Sequence, residues 1–183
     1  MPRLILLNGP PAGGKSTLAR RYVEDHPLAL DLDIDRVRDL LGGWAQQPRP
    51  AGLLARSIAL AAARTHLAGG HDVVIPQLVA QPVFLEQVEQ VARDTAATFH
   101  EVLLLDSKEN AIRRFVGRTA RGETPEHRQA AEMLERQGGL AELAALYDRL
   151  LSVVADRPAT QVVQTRDGEP DQAYRDFLAC LFR

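Results

Sequence analysis

The sequence predicts an α/β fold in which helices cover both faces of a five-stranded parallel sheet. Three observations carry that expectation. Five short apolar runs alternate with helical stretches along 183 residues. The first run passes into a glycine-rich loop and then directly into a helix. Strands separated by helices pair in parallel, because each crossover returns the chain to the same end of the sheet.

The strand-like runs are residues 3–7, 28–34, 72–77, 100–106 and 160–165. The first, with Leu4, Ile5, Leu6 and Leu7, is continuously apolar, as a fully buried strand requires. Helical stretches fall at 15–24, 36–41, 52–68, 83–95, 108–119, 129–137, 140–155 and 171–181. Pro82 suits a first helical turn and Ser107 an N-cap. In such sheets ligands bind beyond the carboxyl ends of the strands, so the residues that follow each strand carry the functional reading.

Bulk composition narrows the classes. A chain of 183 residues with 45% hydrophobic and 25% charged residues is expected to form one domain, 1–183, with a sizeable core. A net charge of −2 leaves no general basic footprint, so long nucleic acid is not an expected partner. The sole cysteine, Cys180, cannot form an internal disulfide and reads as apolar filling of the last helix. No signal peptide and no apolar run of membrane length are visible. A cytoplasmic monomer or homodimer, away from membranes, is the expectation. The five histidines (His26, His66, His71, His100 and His127) show no metal-ligand spacing.

The loop after the first strand, "NGPPAGGKST", matches Gly-x-x-x-x-Gly-Lys-Ser with Gly9, Gly14, Lys15 and Ser16 in the fixed places. A phosphate chain needs many donors in a small volume. Backbone N–H groups wrap it where the chain turns tightly with little side-chain bulk. The loop from Gly9 through Pro10, Ala12, Gly13 and Gly14 to Lys15, Ser16 and Thr17 is therefore expected to hold the phosphates of ATP. The helix opening near Lys15 directs free N–H groups and its positive end at the anion. Lys15 reaches the β- and γ-phosphates, and the Ser16 hydroxyl ligates Mg²⁺. Only Lys15 and Lys108 are lysines among 22 basic residues, so lysine stands where a point charge fits a tight loop better than a guanidinium fork. A plain glycine-rich turn is the alternative reading.

The second strand leads into "LDLDIDRVRDLLGG". Asp33 and Asp35 fall at its end, on the side where the phosphate loop opens. Phosphoryl transfer asks for a carboxylate there, to orient Mg²⁺ through water and to accept the proton of the attacking hydroxyl. An edge strand with an acidic outer face would look the same. Arg36 and Arg38 follow, and one of them could hold an anionic substrate or the transferring phosphate, with a surface ion pair the alternative for Arg36. Gln77 ends the third strand as a substrate contact or a structural amide.

After the fourth strand come Arg113, Arg114, Arg118, Arg121 and Arg128. Arg118 and Arg121 lead into a glycine- and proline-containing segment and read as lid arginines that close over a triphosphate, with the lid at about 118–138. A solvated basic face is the alternative. Arg113 is expected on the outer face. Thr165, Arg166 and Gly168, in the turn after the last strand, could line the adenine.

"GPPAGGKST", "DIDRVR" and "RRFVGRTAR" together resemble the small P-loop kinase superfamily, over most of the chain as far as Arg121. "DID" is similar to the Asp-x-Asp of shikimate kinases. "DRVR" resembles the Asp-x-x-Arg of polynucleotide kinases and the single Asp of chloramphenicol phosphotransferases and zeta toxins. The resemblance implies a three-layer α/β/α P-loop kinase fold with a small helical lid. It also implies ATP and Mg²⁺ as cofactors, Asp35 as general base and Asp33 as the metal-side carboxylate. The chain departs from the pattern after the third strand, where Pro76, Gln77 and Leu78 replace the glycine motif of shikimate kinases. The motif of adenylate kinases is absent there too. "VVIPQ" is similar to the corresponding strand of tunicamycin-resistance-like proteins. "LLLDSKE" comes close to a Walker-B strand, but Asp106 and Ser107 read as the turn and cap of the next helix.

The leading expectation is a kinase that moves the ATP γ-phosphate to a hydroxyl of a small molecule, with Lys15, Asp35, Arg118 and Arg121 catalytic and Asp35, Arg38 and Gln77 on the substrate. A nucleoside, nucleotide or polynucleotide-end kinase is the first alternative, and a nucleotide-binding regulatory protein with little turnover the second. The acceptor is expected against residues 40–54, where Trp44 either contacts it or packs.

Overall fold

Leu4, Ile5, Leu6 and Leu7 are each 0% exposed, and β1 (Arg3–Asn8), which carries them, is the central strand of the sheet. The computed structural model describes residues 1–121, 134–135 and 138–182. Its other strands are β2 (Leu30–Asp31), β3 (Val73–Pro76), β4 (Thr98–Leu105) and β5 (Gln161–Gln164), in the order β2-β3-β1-β4-β5. Every pairing is parallel, as the alternation of strands and helices predicts. Seven α-helices are described: α1 (Lys15–Asp25), α2 (Ile34–Asp39), α3 (Pro48–Ala68), α4 (Pro82–Asp94), α5 (Lys108–Arg121), α6 (Gly139–Ala155) and α7 (Pro170–Leu181).

Successive β1 side chains point to opposite faces, so the sheet sorts the core into two clusters. Leu4 and Leu6 join Val73 and Ile75 under α3 and α4. Ile5 and Leu7 join Val74, Val102 and Leu104 under α1 and α7. Burial of one such leucine contributes about 1.5–3 kcal/mol. α3 meets the core through Ala51, Ala55, Ala59, Ala63 and Leu67, one residue per turn, so small side chains let it lie close. A third, smaller cluster joins Phe115 of α5 to Leu134 and to Leu143 of α6. Cys180 is buried in the cluster under α7, as apolar filling would be.

Two elements differ from expectation. The apolar–acidic alternation over 28–34 predicted a seven-residue strand, but β2 has two residues. The chain turns early because Asp33 caps α2: its Oδ1 accepts the Asp35 N–H at 2.9 Å. α3 begins at Pro48 rather than 52, since proline fits a first helical turn, where its missing N–H would have no partner. Ser107 does cap α5, with Oγ accepting from Asn110 N–H at 3.2 Å. The expected helix at 129–137 and the lid beyond Arg121 lie outside the described residues, Leu134, Glu135 and Gly138 apart.

Candidate active site

The phosphate loop begins where β1 ends, and its first glycine is dictated by packing. Gly9 has φ +149°, and a Cβ there would lie 2.6 Å from the Leu104 carbonyl oxygen of β4. Gly14, at φ +89°, takes the left-handed conformation that opens α1. No side chain caps α1 and no acidic residue stands in its first turn, so its free N–H groups face the hollow of the loop. That uncapped, cationic hollow fits a phosphate chain.

One buried side chain fixes this loop to the rest of the sheet. Asn8 is 0% exposed; its Oδ1 accepts from Gly9 N–H at 2.8 Å and Val79 N–H at 2.9 Å, and its Nδ2 donates to the Val79 carbonyl at 2.9 Å. Asn8→Ala removes three hydrogen bonds and strands buried polar groups. The expected loss is about 3 kcal/mol. Calorimetry should read it as a Tm lowered by about 6–12 °C.

Lys15 folds onto the loop, donating from Nζ to the carbonyls of Gly9 at 2.9 Å and Pro10 at 2.8 Å. Burial pushes its ammonium down to about 8; nearby Arg118 adds to this, while Asp35 and Asp33 pull the other way. Three separate elements therefore act on one ammonium. Ser16 is exposed at the mouth of α1.

The register brings the strand ends together. Asp31 pairs with Val74 and Leu7 with Pro76, so Asp33 follows β2 near the level of Pro76 and Leu7, and Gln77 and Asn8 lie one residue further at the carboxyl edge. Burial and the neighbouring Asp35 raise the pKa of Asp33. The side chain of Asp35 is 58% exposed, and its Oδ1 accepts from Arg38 at 2.8 Å. Arg38 also reaches Asp39 at 3.3 Å and lies over the Trp44 ring at 4.2 Å. Gln77 has a buried Oε1 with no hydrogen-bond partner among the described residues. With Ser16, Asp33 offers the hard oxygen donors that suit Mg²⁺, an ion that keeps several waters and takes its other ligands from phosphates.

On the opposite side of the loop a cavity of about 580 Å³ opens, within the roughly 300–1,000 Å³ of small-molecule sites. Gly13, Gly14 and Thr17 form its floor, Arg118 and Arg121 of α5 one wall, and Thr165 and Gly168 after β5 the other. Burial lowers the pKa of Arg118, its Nε has no hydrogen-bond partner among the described residues, and its guanidinium lies 5.6 Å from the Phe115 ring. Arg113 is exposed but borders this cavity, because α5 runs along it, so it is not confined to an outer face. Asp106 does more than turn the chain: it pairs with Arg114 and accepts from Asn110 at 2.8 Å, which ties the start of α5 to the end of β4.

A model of the AAA domain family matches residues 4–143, most of the chain and all of the site up to the end of α5. The chain belongs to this family. Its fold is that of the small P-loop kinases. A kinase candidate from Chloroflexus aurantiacus J-10-fl is similar, with a TM-score of 0.69 and 18% identity over 98% of this chain and 96% of that one. The tunicamycin resistance protein of Deinococcus radiodurans is similar too, with a TM-score of 0.63 and 15% identity over 100% and 96%. No curated protein matches the chain in sequence. Among the described residues of this AAA-domain chain, no helix is long and apolar enough to cross a membrane, and no three His, Cys, Asp or Glu side chains converge as a metal site.

The structure thus brings the expected residues into two adjoining groups. Gly13, Gly14, Thr17, Arg118, Arg121, Thr165 and Gly168 border the cavity; Asp33, Asp35, Arg38 and Gln77 lie at the ends of β2 and β3. Lys15, Gly9 and Pro10 join the two. Asn8 has no sequence signal beyond a polar residue at the end of an apolar run, and Asp106, at the end of the Walker-B-like "LLLDSKE", reads from sequence as a turn alone.

Proposed function

We propose that the protein transfers the γ-phosphoryl group of ATP to a hydroxyl of a small molecule. The observation that supports this best is the convergence on Lys15: loop carbonyls, Arg118 from α5, and the carboxylates of Asp33 and Asp35 all act on its ammonium. A protein that only bound nucleotide would have no use for an exposed carboxylate beside the terminal phosphate.

In this reading the triphosphate lies along Gly9–Thr17 with its nucleoside in the cavity. Lys15 turns from the loop carbonyls to the β- and γ-phosphates. Arg118 and Arg121 neutralise charge on the transferring group. Asp35 takes the proton of the acceptor hydroxyl as its oxygen bonds to the γ-phosphorus and the bond to the leaving ADP oxygen breaks. Mg²⁺, when bound, would be held by Ser16 and, through water, by Asp33, and would neutralise phosphate charge. A cytoplasmic monomer or homodimer remains the setting of this proposal.

The test is transfer itself. With γ-labelled ATP and a library of alcohols, the protein should yield labelled phosphate ester and ADP in equal amounts. Release of label only as inorganic phosphate, at a rate no acceptor changes, would favour a nucleotide-binding regulatory protein instead.

A further inference from the structure

Arg38 is the cation that contacts Asp35, so it reports what the acceptor side is built to receive. One terminal nitrogen donates to Asp35 at 2.8 Å and the other reaches Asp39 at 3.3 Å. Its guanidinium carbon lies 4.2 Å from the Trp44 ring, and its side chain is 15% exposed. Its two terminal nitrogens and one face are engaged by this chain's own residues, while its Nε is buried with no hydrogen-bond partner among the described residues. An anionic acceptor that approached Arg38 would meet the carboxylates of Asp35 and Asp39 already bonded there.

The surrounding charge points the same way. Asp31, Asp33, Asp35 and Asp39 stand against Arg36 and Arg38 in one short segment. Arg20 of α1 adds to the field at Asp31, and carboxylates still outnumber these cations. Lys15 is directed at the phosphate loop, where the nucleotide's own negative charge exceeds it. Beside them, the buried Oε1 of Gln77 has no hydrogen-bond partner among the described residues and can only accept.

On the phosphotransferase reading, we infer that the acceptor is an uncharged or cationic alcohol, a donor of hydrogen bonds to Asp35 and Gln77, and not a carboxylate- or phosphate-bearing molecule. Arg38 is then a positioning residue that holds Asp35, rather than an anion receptor. Like charges brought together disfavour the wrong acceptor strongly, so an anionic analogue of a working acceptor should be poorer in kcat/KM by about 100-fold or more.

The experiment divides an alcohol library by net charge and reads ADP formation with the intact protein. Uridine, myo-inositol and an aminocyclitol represent the uncharged and cationic set; shikimate, AMP and a 5′-hydroxyl dinucleotide represent the anionic set. Acceptors should come only from the first set. An anionic acceptor that outperforms every member of that set overturns the inference and leaves phosphotransfer standing. A library with no acceptor of any charge removes both. With a working acceptor, Arg38→Gln should lower kcat while KM moves less than about threefold, because the arginine acts through Asp35. A KM raised by about 100-fold with kcat preserved would make Arg38 a direct substrate contact and sink the positioning role.

Discussion

Lys15→Ala is expected to lower nucleotide turnover by about 10²–10³-fold, the loss that follows removal of one preorganised charge-stabilising donor. The fold should hold, since among the described residues Nζ donates to the Gly9 and Pro10 loop carbonyls and to no core group. ADP release at saturating ATP, with a melting curve as control, measures both. Turnover equal to the parent's would refute the phosphate-loop role. The same residue sets a pH dependence. Its ammonium, held down to about 8, loses its proton above that pH in the free protein, whereas bound phosphate favours the charged form. Nucleotide affinity should therefore be flat below pH 8 and fall above it, by as much as about tenfold per pH unit. In Lys15→Ala that decline should vanish. For stability the sign is opposite: between about 8 and the ordinary 10.5 the unfolded chain binds more protons at this site, so this contribution grows as pH rises.

Asp35→Asn should lower kcat with an identified acceptor by about 10²–10⁴-fold, the usual worth of a positioned general base. Asparagine keeps the size and removes the basicity. Nucleotide affinity should change far less than kcat, because Asp35 is hydrogen-bonded to Arg38 and acts on Lys15 through its charge alone, so most of the loss belongs to the reacting hydroxyl. Titration calorimetry with a non-hydrolysable ATP analogue separates the two quantities. Near-parental kcat would remove Asp35 as the base.

Local features were the most legible ones. Gly9, Gly14, Lys15 and Ser16 lie within eight positions, and their loop follows from backbone geometry alone. The parallel sheet followed from alternation. β2 misled because alternating Asp and apolar residues fit both an edge strand and the approach to a capped helix, and the bond that Asp35 N–H donates to Asp33 Oδ1 decided for the helix. Asn8 could not be read at all: its partner Val79 is 71 positions away, and nothing near Asn8 marks the contact. The side of α5 that Arg113 presents depends on the tie of Arg114 to Asp106, which is likewise a matter of tertiary packing.

The division of the core between the two faces of the sheet bears on how such a protein can change over generations. The helices that follow the phosphate loop and β5 pack on one face, while α3 and α4, beside the carboxylate-bearing α2, pack on the other. Only the strands are common to both. Substitutions that remodel the α2–α3 side therefore fall on a different core cluster from the one that packs α1 and α7. Asn8 ties the start of the phosphate loop to Val79, which packs in the α3–α4 cluster, so a change at either residue is felt on both sides.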